Sequence, residues 1–243
     1  MSYKRFVVCA DNHGRMACNT TVQKLMDFIG DWKPHYRIHL GDVWDFTPIR
    51  RGASQEEKAE GISEDYYQGM EFLDLYKPNM LTLGNHDDRV WMHSTSVDGM
   101  LREHCAALAN QIEDEFRKRK IKWVPYHVNK FLRMPEGGPK LIHGFRSTMY
   151  PAKAHAENYG PVIHGHVHKP DTYYLRHIDG GVAHSIGCIG DLSQMTYADK
   201  YAAKLGWRQG WLYGLINTKT GKWEAWHVTR EDDGAFLSPQ GIL

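Results

Sequence analysis

The chain has 243 residues, enough to bury a hydrophobic core, and its 42% hydrophobic and 24% charged residues exclude a disordered polymer and a membrane protein. A net charge of +1 gives no global basic field to hold a polyanion, so any affinity for phosphate has to be local. No apolar run approaches a membrane span, and the N-terminus lacks the basic-then-apolar plan of a signal peptide, so we expect one domain over residues 1–243, in the cytoplasm and without a membrane partner.

Cys9, Cys18, Cys105 and Cys188 are scattered without a close pair, which reads as reduced thiols. The anomaly is the histidine count, 15, together with 8 tryptophans. Position has to explain it.

Phe6 to Ala10 is a short apolar run, the pattern of a strand covered on both faces, and it delivers Asp11-Asn12-His13-Gly14. Val22, Leu25, Met26, Ile29 and Trp32 recur at helical spacing, and Pro34 stops that helix. Tyr36 to Leu40 is a second strand, parallel to the first, running into Gly41-Asp42-Val43-Trp44-Asp45. Ser54 and Glu57 form a capping box opening a helical region that Pro78 ends. Met80 to Leu83 delivers Gly84-Asn85-His86-Asp87, and a helix from about Asp98 closes in the solvated basic run Arg117 to Lys120. Lys140-Leu141-Ile142 delivers His143-Gly144. After an irregular stretch from Phe145 to Tyr159, Val162-Ile163-His164 delivers Gly165-His166-Val167-His168. Ser185 to Ile189 reads as another strand, Trp211–Ile216 and Trp223–Val228 as a hairpin within about 211–229, and the tail after Arg230 as loosely ordered. The segments at about 46–77 and 88–122 read as helical inserts.

Ligands in α/β sheets bind beyond the carboxyl ends of the strands, so the residues at five strand ends should converge. Pooled, they are Asp11, His13, Asp42, Asn85, His143, His166 and His168: two carboxylates, one amide and four imidazoles. One tetrahedral ion needs only four ligands, so seven point to two ions with a bridging carboxylate. A nitrogen and oxygen set without thiolate favours manganese, iron, zinc or a related divalent ion such as nickel, with manganese first. Four metal charges against two carboxylates leave a site attractive to hydroxide and phosphate together.

Asp11-x-His13, Gly41-Asp42-x-x-Asp45, Gly84-Asn85-His86-Asp87, His143-Gly144 and Gly165-His166-x-His168 stand in the order and spacing of the calcineurin-like metallophosphoesterases, which residues 3 to 168 resemble. The resemblance implies a four-layer α/β/β/α sandwich: two packed mixed β-sheets flanked by helices. It implies Asp11, His13 and His168 on one metal, Asn85, His143 and His166 on the other, and Asp42 bridging. It makes His86 the general acid, oriented by Asp45, in a hydrolysis where hydroxide held between the ions attacks phosphorus in line.

The phosphoprotein phosphatases carry Arg after Gly-Asp-x-x-Asp and Glu at the end of the third motif. Phe46 and Asp87 stand there instead, which turns the resemblance toward the phosphodiesterase and repair-nuclease branches. The leading expectation is a phosphodiesterase or nuclease acting on nucleic acid or a nucleotide. A small-molecule phosphomonoesterase or pyrophosphatase is the alternative, and a non-catalytic metal-binding scaffold ranks last. Trp44, Phe46, Arg50, Arg51, Arg89, Trp91, Arg146 and Tyr150 follow the motifs and could grip the substrate, Trp44, Arg89 and Arg146 foremost. The competing reading packs Trp44 and Trp91 under the inserts and pairs the arginines with surface acids such as Asp65. Trp207, Trp211, Trp223 and Trp226 either cover the sheet or form a homodimer contact.

Overall fold

The computed structural model describes residues 2–243 and, within them, every side chain but those of Tyr197 and Ala203. Strand β1 (Tyr3–Cys9) shows how the layers arise. Its side chains alternate between faces, so Phe6 and Val8 point to one apolar cluster while Val7 and Cys9 point to another. Helix α1 (Asn19–Trp32) covers the second face with Leu25, Phe28 and Ile29. It ends where Lys33 turns left-handed, its N–H donating to the Ile29 carbonyl, and Pro34 prevents continuation.

Strand β2 (Tyr36–His39) pairs parallel with β1. Helix α2 (Gln55–Ala59) opens with the expected capping box, Ser54 and Glu57 each satisfying the other's backbone, and α3 (Ser63–Tyr76) follows. Strand β3 (Met80–Thr82) adds parallel to β2. Helices α4 (Asp88–His93) and α5 (Gly99–Lys118) lead to β4 (Lys122–Val124), parallel to β3. Strands β5 (Leu132–Arg133) and β6 (Lys140–Ile142), helix α6 (Pro151–Tyr159), and strands β7 (Val162–His164), β8 (Asp171–Tyr174) and β9 (Val182–Ser185) build a second sheet. The chain then returns to the first sheet with β10 (Gly210–Asn217), β11 (Trp223–Arg230), β12 (Phe236–Ser238) and β13 (Gly241–Ile242).

The first sheet has eight strands in the order β13-β12-β11-β10-β1-β2-β3-β4, and the second has five, β5-β6-β7-β9-β8. Phe6, Ile38 and Met80 of the first meet Leu141 and Ile163 of the second in one buried cluster. Each such fully buried side chain is worth about 1.5–3 kcal/mol against exposure. Helices α1 and α3 cover the outer face of the first sheet, and α6 covers the second with Ala152 and Ala156. The architecture is the two-sheet α/β sandwich expected. No described helix is long and apolar enough to cross a membrane.

Three segments differ from their sequence reading. Residues 151–159, read as irregular, form α6: Pro151 starts it, and small alanines rather than a bulky stripe make its contact. The strand read at Ser185–Ile189 is displaced; β9 ends at Ser185, and Cys188, Ile189 and Gly190 run between other segments, donating to the carbonyls of Arg208, Ala10 and Asp11. The tail read as loose supplies β12 and β13, with Phe236 fully buried against Trp211.

Candidate metal centre and active site

Strands β1, β2 and β3 of one sheet and β6 and β7 of the other end at a common rim, and every polar strand-end motif lies just past one of these five ends. Asp11, His13, Asp42, His166 and His168 all have left-handed backbones, with φ between 51 and 73°. L-residues adopt that region at a cost of about 1–3 kcal/mol each, and such strain gathers at functional sites. Gly41, at φ 93°, lies so close to Gly84 that a Cβ there would fall 2.5 Å from its nitrogen. Bare backbone is what lets the second and third loops touch.

Carboxylates tie these loops. Asp87, fully buried, accepts from the N–H of Asp42 (2.8 Å), Trp44 (3.0 Å) and Gly84 (2.8 Å). Burial, with the nearby Asp42 charge, pushes its carboxyl up to about 8. Asp65 of α3 accepts from the N–H of Arg15, Asp45 and Phe46, which binds the first loop to the second. It is buried and pairs with backbone, not with the arginine side chains expected for it. The His86 N–H donates to Asp42 Oδ1 at 2.8 Å.

Three groups of ligand-type atoms result, Asp11 with His13 and His168, Asp42 with His143 and His166, and His13 with Asp45 and His86, the atoms of each group within 4.8 Å of one another. In the first, His13 Nε2 and His168 Nε2 face each other at 3.4 Å, and His168 Nε2 lies 3.5 Å from Asp11 Oδ1. In the second, His143 donates Nδ1–H to the Leu40 carbonyl, which leaves Nε2 facing Asp42 Oδ2 at 3.1 Å and Asn85 Oδ1 at 3.0 Å. All seven expected residues are brought together.

Burial opposes charge throughout, yet the imidazoles His168 and His143 hold the Asp11 carboxyl low, and His143 and His86 hold Asp42 far lower. His13 and His143 are pushed up to about 9 against burial, mainly by Asp45 and Asp42 respectively, whereas burial and His143 press His166 down to about 3. Buried carboxylates and imidazole lone pairs thus converge with little but each other's protons between them. That donor set fits divalent cations, which replace such protons when they bind.

Asp45 is shared. Its Oδ1 accepts from His13 Nδ1 at 3.1 Å and His86 Nδ1 at 2.6 Å, and these bonds hold its carboxyl far below the carboxylate range despite burial. His86 shares the third group with His13 and Asp45, and its Nδ1 is taken up by the Asp45 bond; its Nε2 lies 3.9 Å from Asp42 Oδ2 and its ring is edge-on to His13. Burial lowers its imidazole below the ordinary value even though Asp42 and Asp45 favour the cation.

His86, Asp45 and Arg89 line a cavity of about 330 Å³. Arg89 Nη1 reaches the Asp45 carbonyl and lies 3.4 Å from its carboxylate. A second cavity, also about 330 Å³, opens beside His168, where Trp207 meets that ring edge-on at 4.4 Å and Val167 and Lys169 form the wall. Trp44 is a correction: it is fully buried, stacks on Phe46 and Tyr66, and donates Nε1–H to the Tyr66 carbonyl, so it packs the insert and lines neither the His86 cavity nor the Trp207 cavity. Arg146 lines a different cavity with Phe145 and Tyr159, away from His86. Asp87, Arg15 and Trp207 were missed as site residues. Asp87 carried a signal in its place within the third motif; Arg15 and Trp207 carried none, being brought in by Asp65 and by the return to the first sheet.

The site has the geometry of a dinuclear metal centre suited to metal-dependent phosphoester hydrolysis. No relative among curated proteins matches the chain. Among solved structures, it is similar to a predicted phosphoesterase of Streptococcus pneumoniae, at 15% identity over 99% of this chain and 92% of the other, TM-score 0.40. It is similar to vacuolar protein sorting 29 of Cryptosporidium parvum, at 12% identity over 98% and 96%, TM-score 0.49. A phosphatase of Mycoplasma pneumoniae is similar at 13% identity over 99% and 96%, TM-score 0.43. Likenesses this remote leave membership to rest on the sequence profile, and the profile of the calcineurin-like phosphoesterases matches residues 4–182, from β1 to the start of β9 and through every strand-end motif. The chain belongs to the calcineurin-like phosphoesterase family.

Proposed function

We propose that the chain hydrolyses a phosphodiester in a nucleotide or nucleic acid, with Asp11, His13 and His168 holding one divalent cation, Asn85, His143 and His166 a second, and Asp42 shared. Manganese is taken as the leading cation, with iron, zinc or nickel as alternatives that mixed imidazole and oxygen donors equally admit. The observation that carries the reading is the pair of cavities, one lined by His86 and the other by Trp207 against His168. A diester has two arms to place, a monoester one. Two bound cations supply the Lewis acidity that offsets charge at phosphorus and lowers the pKa of water.

The chain's own residues do the rest. His86 donates a proton from Nε2 to the departing oxygen, while its Nδ1–H on Asp45 fixes the ring plane. Asp45 in turn is fixed by the Arg89 guanidinium and by its own backbone bond to Asp65. The leaving arm therefore occupies the His86 cavity, and the arm retained on phosphorus lies toward Trp207. Phe46 and Asp87, in place of the arginine and glutamate of the protein phosphatases, support the diesterase side of the family.

The test compares 4-nitrophenyl phosphate with bis(4-nitrophenyl) phosphate on Mn²⁺-loaded protein, followed by single-stranded DNA. Faster cleavage of the diester, together with cleavage of DNA or a dinucleotide, is the expected result. Cleavage of the monoester alone overturns the reading.

A further inference from the structure

The His86 cavity has chemistry that simple proton transfer does not need. Arg15 and Arg50 line it in addition to Arg89, together with Thr47, Gln194 and Thr196, and among the described side chains no Phe, Tyr or Trp is in its walls. Arg15 pairs with Glu60 and Arg50 with both oxygens of Glu57 at 2.7 and 2.8 Å. These side chains are between 29% and 38% exposed, so water weakens both pairs. Arg89 differs, since it is fixed on Asp45. Glu57 and Glu60 thus hold two guanidiniums at the cavity wall in pairs weak enough to exchange. A phosphate, with more charge and more acceptor oxygens than a carboxylate, is the anion that would take them over.

Building on the phosphodiesterase reading, we infer that the leaving arm carries a second phosphate, gripped by Arg15 and Arg50 in exchange for Glu60 and Glu57. The substrate is then a polynucleotide or a phosphorylated dinucleotide, not an isolated diester. Arg15 and Arg50 are specificity residues that touch the substrate, Glu60 competing for Arg15 and Glu57 for Arg50.

Three dinucleotides test this with the Mn²⁺-loaded enzyme: thymidylyl-thymidine, the same molecule with a 5′-phosphate, and the same with a 3′-phosphate. One phosphorylated form, whichever places its added phosphate on the leaving nucleoside, should have kcat/KM at least about tenfold above the plain dinucleotide, the worth of one charge-assisted hydrogen bond. Arg15→Gln and Arg50→Gln should bring that ratio toward one, and Glu60→Gln should raise it. A pin that merely anchors α2 would change all three substrates together and leave the ratio alone. Equal kcat/KM for the three dinucleotides, or a ratio that Arg15→Gln, Arg50→Gln and Glu60→Gln all leave unmoved, overturns the inference while the diesterase reading stands. If an arginine variant fails to fold, Glu60→Gln decides. Failure to cleave any dinucleotide or bis(4-nitrophenyl) phosphate overturns the diesterase reading and this inference with it.

Discussion

His86 and Asp45 divide the work at the rim in a way single substitutions can separate. In the proposed assignment His86 holds neither cation, its Nδ1 being bonded to Asp45, so His86→Ala should leave metal content unchanged and slow esters with poor leaving groups by about 10²- to 10⁴-fold. Esters of 4-nitrophenol, whose anion departs without a proton, should lose far less. Equal losses for both, or loss of metal, would remove His86 from the acid role. Asp45 bonds both His86 and His13, and second-sphere partners of metal-binding histidines are worth roughly 10- to 100-fold in metal affinity. Asp45→Asn should therefore show both defects at once, read by activity and by metal titration. At this scale the sequence was highly legible, because each of the seven ligand candidates follows a short apolar run and shares a spacing that chemistry dictates. It misled where a side chain's neighbours are remote in sequence. Trp44 stands beside Asp42 and Asp45 yet is claimed by Tyr66 of α3, and Asp65, polar within a helix, turns inward to three backbone amides.

At the scale of elements, α3 serves the site through that one carboxylate. Asp65→Ala would strip the acceptor from three backbone N–H groups, each costing about 1–3 kcal/mol when buried and unpaired, and would free the loops carrying His13 and Asp45. We expect a lower Tm together with weakened metal binding, measured by calorimetry with and without Mn²⁺; an unchanged Tm would show that the tie carries no load. The C-terminal strands make a different prediction. Phe236→Ala removes a fully buried ring from Trp211 and should cost about 3–5 kcal/mol without touching metal content. Retention of wild-type stability would contradict the packing of β12. These strands were hard to read because two- and three-residue segments are too short to display a period, and α6 was hidden because its buried residues, Pro151, Ala152, His155 and Ala156, make no bulky apolar stripe. Segment 186–190 deceived for the opposite reason: it is apolar because it is buried, while its bonds go to a loop and to the end of β1 rather than to a ladder.

For the whole molecule, the centre joins two sheets that meet at one rim, with Asp11, His13, Asp42 and Asn85 coming from the first and His143, His166 and His168 from the second. Cations held there would tie the two sheets together, so chelation should lower Tm, and Mn²⁺ at a hundredfold excess over Kd should restore stability by about 2.7 kcal/mol for each ion held. A Tm indifferent to chelator would mean that no ion is held between the sheets. Strand ends converging on a rim could be read from the sequence, but motif spacing alone does not say that two sheets supply them; only the resemblance implied that. The most direct test of the two-cation centre is metal content per chain after gel filtration from Mn²⁺, for the wild type, His168→Ala and His166→Ala. Two ions are expected in the wild type. Each variant should keep one, and the ion kept by His168→Ala should be lost on further replacement of His143 but not of His13, with the reverse for His166→Ala. A single ion in the wild type, or the same residual site in both variants, would contradict the account.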